Sequence, residues 1–360
     1  MSNYQSHFLV DINLEVLSGC KWKCTGCNVN KNENNGFVGN DFNRLMNLFK
    51  DLQANNHVLI NLAIGATDFM TARNSDDILN SELVPMLDMF KSIVLNTTFL
   101  SEKDVVEDWA YKLKPLLSGR RVKFTIPLEP RHIGNEKYFA GIKEKIRIFE
   151  SIANETEYGG VYNIVNLYEY KKHVDPLSEF HEFSTKFDHV WHEGHLDLVI
   201  SEGRLPLTDP ENKQKVLKMV NYLNGLYEKA VIKDKSTLVN FNYGKRYEGY
   251  DKDYVYKNGN LYSTVFLGEP LIVYEEDSSL GKDSEWNYKT IVEFENQLML
   301  NSLKYMEKTK DCLNCEFAPH CAGRGLLYLM EKLEAVDCLA PRDGFKTVND
   351  NFYKYGNFDY

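Results

Sequence analysis

Hydrophobic and polar residues alternate from the eighth position onward, with Phe8, Val10, Ile12, Leu14 and Val16 on one face and Asp11, Asn13 and Glu15 on the other. A period of two is the mark of a strand with one apolar and one polar face. The polar face has two possible destinations: solvent, on an ordinary sheet, or the lumen of a barrel whose helices lie outside. Beyond it the chain repeats strand then helix. Helical periodicity over 40–54, 75–90, 103–117, 135–152, 174–187 and 209–229 alternates with the strand-like runs VLINLAIG, SIVLNTTF, VKFTIPLE, GVYNIVNLY and HLDLVISEG. With the first strand this makes six βα units. Such alternation predicts a parallel sheet, because parallel neighbours need a crossover and a helix is the usual one.

Near residue 230 the pattern changes. Residues 236–275 are rich in Tyr, Val and Thr, and YVYKNGNLYSTVFL centres on Asn258-Gly259, a hairpin signal. A helical stretch follows over 287–308, then another at about 324–334 and a tail rich in Tyr, Phe and Asn. The expected architecture is α/β: a partial (βα)6 TIM-like barrel over residues 1–230 and a smaller C-terminal α+β domain over 231–360. Active sites in such sheets lie beyond the carboxyl ends of the strands.

Charge narrows the partners. A net charge of -10, with no cluster of Lys and Arg, argues against nucleic acid as the main partner, because that binding depends on basic side chains displacing counterions. The opening residues MSNYQSHFLVDINLEV lack a basic region followed by an apolar run, and no stretch is long enough to cross a bilayer. The expectation is a cytoplasmic protein without a membrane segment.

The cysteines carry the chemistry. All seven fall into two groups, Cys20/Cys24/Cys27 and Cys312/Cys315/Cys321/Cys338. In a reducing compartment, thiols clustered at short spacings mean metal sooner than disulfides. The first group places three thiols within eight residues, directly after the first strand. Zinc or iron held by protein alone takes four ligands, and no fourth Cys or His is near in sequence. It is therefore a metal site with an open corner. Another reading is a zinc knuckle, in which Cys24 and Cys27 pair with a distant CxxC and Cys20 is idle.

The arrangement CxxxCxxC at the carboxyl end of the first strand of a βα barrel resembles the radical S-adenosylmethionine (radical SAM) superfamily. The resemblance implies that Cys20, Cys24 and Cys27 hold three irons of a [4Fe-4S] cluster, while SAM chelates the fourth through its amino and carboxylate groups. Reductive cleavage of SAM then yields a 5′-deoxyadenosyl radical that abstracts hydrogen from a substrate. The family's Gly-Gly-Glu stretch after the second strand, which lets backbone approach the SAM amino group, corresponds here to Gly65-Ala66-Thr67-Asp68. One Gly is Ala, and the acidic residue is either replaced by Thr67 or displaced to Asp68. Asn96-Thr97-Thr98 stands where the family often has Thr-Asn-Gly, although a solvated turn explains it equally well. Gly26 replaces the aromatic residue usual before the third Cys, which leaves Trp22 as one possible adenine neighbour. Thr125, Glu129, Asn163, Glu202 and Arg204 form a set of polar residues at later strand ends that could reach cofactor or substrate.

Cys312-xx-Cys315-x5-Cys321 followed by Cys338 resembles the SPASM domain, which binds auxiliary [4Fe-4S] clusters in radical SAM enzymes, many of them peptide-modifying. Two of that domain's cysteines are missing here: Gly325 stands four residues after the third Cys, and the hairpin run NGNLYST ends in Ser263-Thr264. Both departures remove ligands of the first auxiliary cluster. The resemblance therefore implies a reduced SPASM or twitch-like domain with one fully ligated cluster, suited to electron transfer or structure. The same four thiolates could instead hold zinc.

These readings combine into a radical SAM enzyme with two [4Fe-4S] clusters, SAM, a reducing donor such as flavodoxin or ferredoxin, and a peptide or protein substrate. The candidate SAM contacts are Gly65, Ala66, Thr67, Asp68 and Asn96. The barrel begins almost at once, so no separate N-terminal peptide-recognition domain is expected, and a small-molecule substrate remains the alternative. A zinc-stabilised binding protein without enzymatic activity is the other. The pair His192 and His195 in WHEGH reads as a polar loop before the sixth strand, because Gly194 disfavours a helix, and receives no site.

Overall fold

The computed structural model describes residues 8–22, 35–65, 67–79, 83–117, 121–128, 135–153, 158–166, 190–199, 251–263, 279–281, 283–308 and 310–316, with single positions within 210–217 and at 330, 334 and 338. Six strands, β1 (Phe8–Glu15), β2 (His57–Gly65), β3 (Ser92–Asn96), β4 (Arg121–Leu128), β5 (Tyr158–Asn166) and β6 (Val190–Val199), pair in parallel with sequential neighbours. This is the partial barrel that the alternation predicts. The connecting helices include α1 (Asp41–Ala54), the single turns α2 (Ser75–Asp77) and α3 (Val84–Leu87), α4 (Lys103–Leu117) and α5 (Glu136–Ala153). After the barrel come α6 (Tyr288–Lys308) and the short α7 (Lys310–Leu313).

The other edge of β1 is also paired. β7 (Asp251–Lys257) runs parallel to it, from Leu9 opposite Asp251 to Leu14 opposite Tyr256. β8 (Asn260–Ser263) returns antiparallel, and β9 (Ser279–Leu280) closes the sheet order β6-β5-β4-β3-β2-β1-β7-β8-β9. The turn between β7 and β8 is the Asn258-Gly259 pair, at φ 49° and 85°, with Lys257 facing Asn260 across it. Left-handed values at both central residues are what a two-residue hairpin requires, and Asn and Gly adopt them at least cost.

The polar face of β1 turns inward. Asp11 and Asn13 are half-buried and Glu15 is only 6% exposed, which rules out the solvent-facing alternative. Asp11 Oδ1 accepts from the Asn61 amide at 3.1 Å and from its Nδ2 at 2.9 Å, and Ser92 Oγ donates to Asn61 Oδ1. One hydrogen-bonded row thus crosses β1, β2 and β3 inside the barrel. The apolar face, Val10, Ile12, Leu14 and Val16, belongs to the core together with Leu45, Leu48, Phe49 and Leu52 of α1.

Two expectations are corrected. The described part of 75–90 is not one regular α-helix: α2 runs into a π turn at Ile78–Leu79, where Leu83 N donates to Ile78 O at 3.1 Å, and α3 starts afresh at Val84. Pro85 lies at the start of α3, where its missing N–H and fixed φ suit a first turn and not an interior. His192 and His195 lie within β6 and not in a loop before it. Gly159 faces Trp191 and Val161 faces Gly194, so β6 carries one extra residue there. A bulge accommodates Gly194 without breaking the strand, which a reading of Gly as loop missed. The predicted helix at 174–187, and most of those at 209–229 and 324–334, lie outside the described residues.

Phe124 is the centre of an aromatic cluster that locks α4 and α5 to the sheet. Its ring lies 4.7 Å from Phe149, 5.4 Å from Phe99 and 6.0 Å from Phe69, and Phe69 in turn meets Trp109 at 5.4 Å. Phe124→Ala removes the shared partner and leaves a cavity, at an expected cost of about 3–5 kcal/mol. Chemical denaturation should show a lower midpoint with an unchanged slope.

Candidate functional site

The strand register builds one row at the carboxyl ends. Glu15 faces Gly65, Asn96 faces Thr125, and Lys257, one residue beyond the Leu14–Tyr256 pair, forms an ion pair with Glu15. Both side chains of that pair are largely buried, at 13% and 8% exposure for Lys257 and Glu15. The β7–β8 hairpin therefore delivers a cation to the mouth of the barrel.

Gly65 occupies a close approach. A Cβ there would stand 2.6 Å from Asn96 Nδ2 and 3.7 Å from Asn13 Oδ1, so a side chain would have to displace the Asn96 amide. Asn13 Oδ1 and Thr67 Oγ1 are buried and find no hydrogen-bond partner among the described residues. Orphaned buried acceptors are costly, and a bound polar group is one way to satisfy them. Gly65 and Asn96 are thus neighbours, with Asn13 beside them, a residue that sequence reasoning placed only on the lumen face. Ala66 lies outside the described residues.

Asp68 sits differently from its neighbours. It is 6% exposed, and its Oδ2 accepts from the Thr98 amide at 2.7 Å, the Thr98 hydroxyl at 2.6 Å and Trp22 Nε1 at 3.2 Å. Its Oδ1 accepts from the Met70 amide at 2.9 Å. Burial raises the carboxyl above its usual range, and these donors oppose the shift. Thr97 and Thr98 are 1% and 7% exposed, so Asn96-Thr97-Thr98 is a buried turn and not a solvated one.

The cysteine run is anchored at both ends. On the near side, Ser18 N donates to Asn74 Oδ1 at 2.7 Å, and Arg73 N donates to Ser18 O at 2.7 Å. On the far side, Asn35 O accepts from Ser18 Oγ at 2.6 Å and from Asn74 Nδ2 at 3.2 Å, while Asn35 Nδ2 donates to Leu17 O at 3.0 Å. Asn74 Nδ2 also donates to Val16 O at 2.9 Å. Ser18, Asn35 and Asn74 form a clamp that holds together residues 18 and 35, which flank the run in sequence. No spacing in the sequence announces it, because Ser18 and Asn35 lie 17 positions apart and Asn74 comes from a different connection, after β2.

Cys20 is half-buried, and its thiol lies 3.7 Å from Thr71 Oγ1. Cys312 is buried at the end of α7, and the Cys315 amide donates to its carbonyl at 3.2 Å, which closes the CxxC pair into one turn. Cys338 is exposed. Cys24, Cys27 and Cys321 lie outside the described residues, and so do Glu129, Glu202 and Arg204. Among the described residues no three His, Cys, Asp or Glu converge on a metal site, and no helix is long and apolar enough to cross a membrane. Thr125 and Asn163 are placed within β4 and β5, with Asn163 opposite Leu128 and Leu196.

Asn74→Ala would strip the Ser18 amide of its acceptor and two carbonyls of a donor. With about 1–3 kcal/mol lost per buried group left unsatisfied, destabilisation of about 2 kcal/mol or more is expected in chemical denaturation.

No protein-family model matches the sequence, and no curated protein sequence does. Two of the solved structures that are similar follow. Streptococcus suis SuiB bound to precursor peptide SuiA gives a TM-score of 0.49 at 12% identity, over 90% of this chain and 73% of that one. Native anSMEcpe with bound AdoMet and Cp18Cys peptide gives a TM-score of 0.50 at 12% identity, over 96% of this chain and 97% of that one. The barrel and the strands added beside β1 together form the fold of anSMEcpe.

Proposed function

We propose that this chain is a radical SAM enzyme that modifies a peptide or protein. One observation carries the reading: Cys20 opens a three-thiol run in the loop that leaves β1, pinned where Ser18 meets Asn35, and Leu17 of that loop donates to the carbonyl of Gly65, which keeps backbone accessible between Asn13 and Asn96. The orphaned acceptors Asn13 Oδ1 and Thr67 Oγ1 fit a ligand with an ammonium donor, as SAM has. A structure of the same fold, anSMEcpe, holds AdoMet and a peptide.

Cys20, Cys24 and Cys27 would hold the cluster that leaves one iron for SAM, and Gly65, Ala66, Thr67 and Asn96 would line the cofactor's amino-acid end. When bound, cluster and SAM supply the 5′-deoxyadenosyl radical that takes hydrogen from substrate. The chain's own residues bind and orient. The inward Asp11–Asn61–Ser92 row keeps the floor of the barrel fixed, and Glu15 neutralises Lys257 at its mouth. Cys312, Cys315, Cys321 and Cys338 would hold one auxiliary [4Fe-4S] cluster, and flavodoxin or ferredoxin would supply electrons. Asp68 has its carboxylate committed to protein donors, which favours Asn13 and Thr67 over it as acceptors for SAM.

Anaerobic reconstitution should load about eight irons per chain. Reduction in the presence of SAM should release 5′-deoxyadenosine. Cys20→Ala should keep the auxiliary irons, about four, and lose SAM cleavage. Copurified zinc with no SAM cleavage at low potential would replace this reading with a zinc-stabilised binding protein. Deuterium carried into 5′-deoxyadenosine from a labelled peptide, and not from small metabolites, would establish the substrate class.

A further inference from the structure

Trp22 follows Cys20 by two residues, and an indole is not a cluster ligand. Its ring is half-buried, and its Nε1–H reaches 3.2 Å to Asp68 Oδ2, a residue 46 positions away. The acceptor is already fixed when Trp22 meets it. Thr98, after β3, donates twice to the same oxygen, at 2.7 and 2.6 Å, and Met70 holds the other at 2.9 Å. Three loops, following β1, β2 and β3, therefore converge on one carboxylate.

Asp68 acts through its backbone as well. Its carbonyl accepts from the amides of Thr71 at 3.1 Å and Ala72 at 3.0 Å, closing the turn whose Thr71 hydroxyl lies 3.7 Å from the Cys20 sulfur. The same residue thus holds the turn beneath Cys20 and the indole that follows it. Donors from three loops on one buried carboxyl make this connection stiff.

We infer that the Trp22–Asp68 hydrogen bond is a strut that sets the first cysteine against the Gly65–Asp68 stretch, making Trp22 and Asp68 positioning residues for SAM at the cluster and not contacts to it. The inference rests on the radical SAM reading proposed above. It also separates two uses of the indole. Stacking on adenine needs only an aromatic ring, whereas the strut needs the N–H.

Trp22→Phe keeps the ring and removes the donor. Asp68→Asn keeps one acceptor oxygen but turns a second donor toward amides that already donate. The full chain, wild type and variants, is reconstituted anaerobically, its iron counted, and its affinity for SAM measured by equilibrium dialysis. Both single variants should keep the wild-type iron content. The SAM dissociation constant should rise about tenfold in Trp22→Phe, the loss of one buried hydrogen bond, and at least as far in Asp68→Asn. The double variant should be no worse than Asp68→Asn alone, because the two residues share one bond. Wild-type affinity in Trp22→Phe, or effects that add in the double variant, overturns the strut. If Asp68→Asn takes up no iron, Trp22→Phe decides alone. A wild-type chain that binds neither iron nor SAM overturns the radical SAM reading and the strut with it, whereas failure confined to Trp22→Phe overturns the strut only.

Discussion

The backbone ladder on both edges of β1 is the constraint on which the other features depend. A parallel strand paired with β2 on one side and β7 on the other cannot shift by one residue without turning Val10, Ile12 and Leu14 into the lumen and Asp11, Asn13 and Glu15 into the core. The position of Cys20, five residues beyond Glu15, is thereby fixed relative to Gly65 and to Lys257 alike. The two cysteine groups belong to different parts of the chain, yet the parts share one sheet.

Above that ladder the structure relies on buried polar groups satisfying one another. Asp68 is desolvated, and burial raises its carboxyl above the usual range; amide, hydroxyl and indole donors from three loops oppose that shift. The Ser18–Asn35–Asn74 clamp is a neutral counterpart, in which one asparagine amide serves two carbonyls and its oxygen serves an amide. Tyr256 adds a third link: its hydroxyl donates to Asp41 Oδ2 at 2.9 Å and accepts from the Val38 amide at 3.0 Å, and burial pushes it above its usual range. Each such network penalises partial assembly, since a missing member leaves a buried group unpaired.

Much of this was legible in the sequence, and the remainder was hidden for definable reasons. Strict alternation in β1 and the Asn258-Gly259 turn are local signals, and both elements stand where they were expected. The three-thiol spacing is the basis of the proposed cluster site, of which only Cys20 lies among the described residues. The pairing of β7 with β1 had no local signal, because nothing in YVYK says which strand it will join. The clamp was invisible for the same reason: Asn35 and Asn74 look like ordinary loop asparagines until their partners are known. The run 75–90 misled because its apolar spacing is helical while Pro85 restarts the helix. WHEGH misled because a glycine that breaks helices is tolerated at a strand bulge.

The β1–β7 pairing also sets an order of events during synthesis. Leu9 meets Asp251, so nearly the whole barrel must leave the ribosome before that edge can be covered. Closing so long a loop costs entropy that is regained only when the ladder forms, which makes it a late step. Until then the nascent barrel carries an open strand edge beside its cysteine run, a surface prone to wrong pairing. The hairpin that completes the fold is therefore also the element that ends the chain's most vulnerable interval.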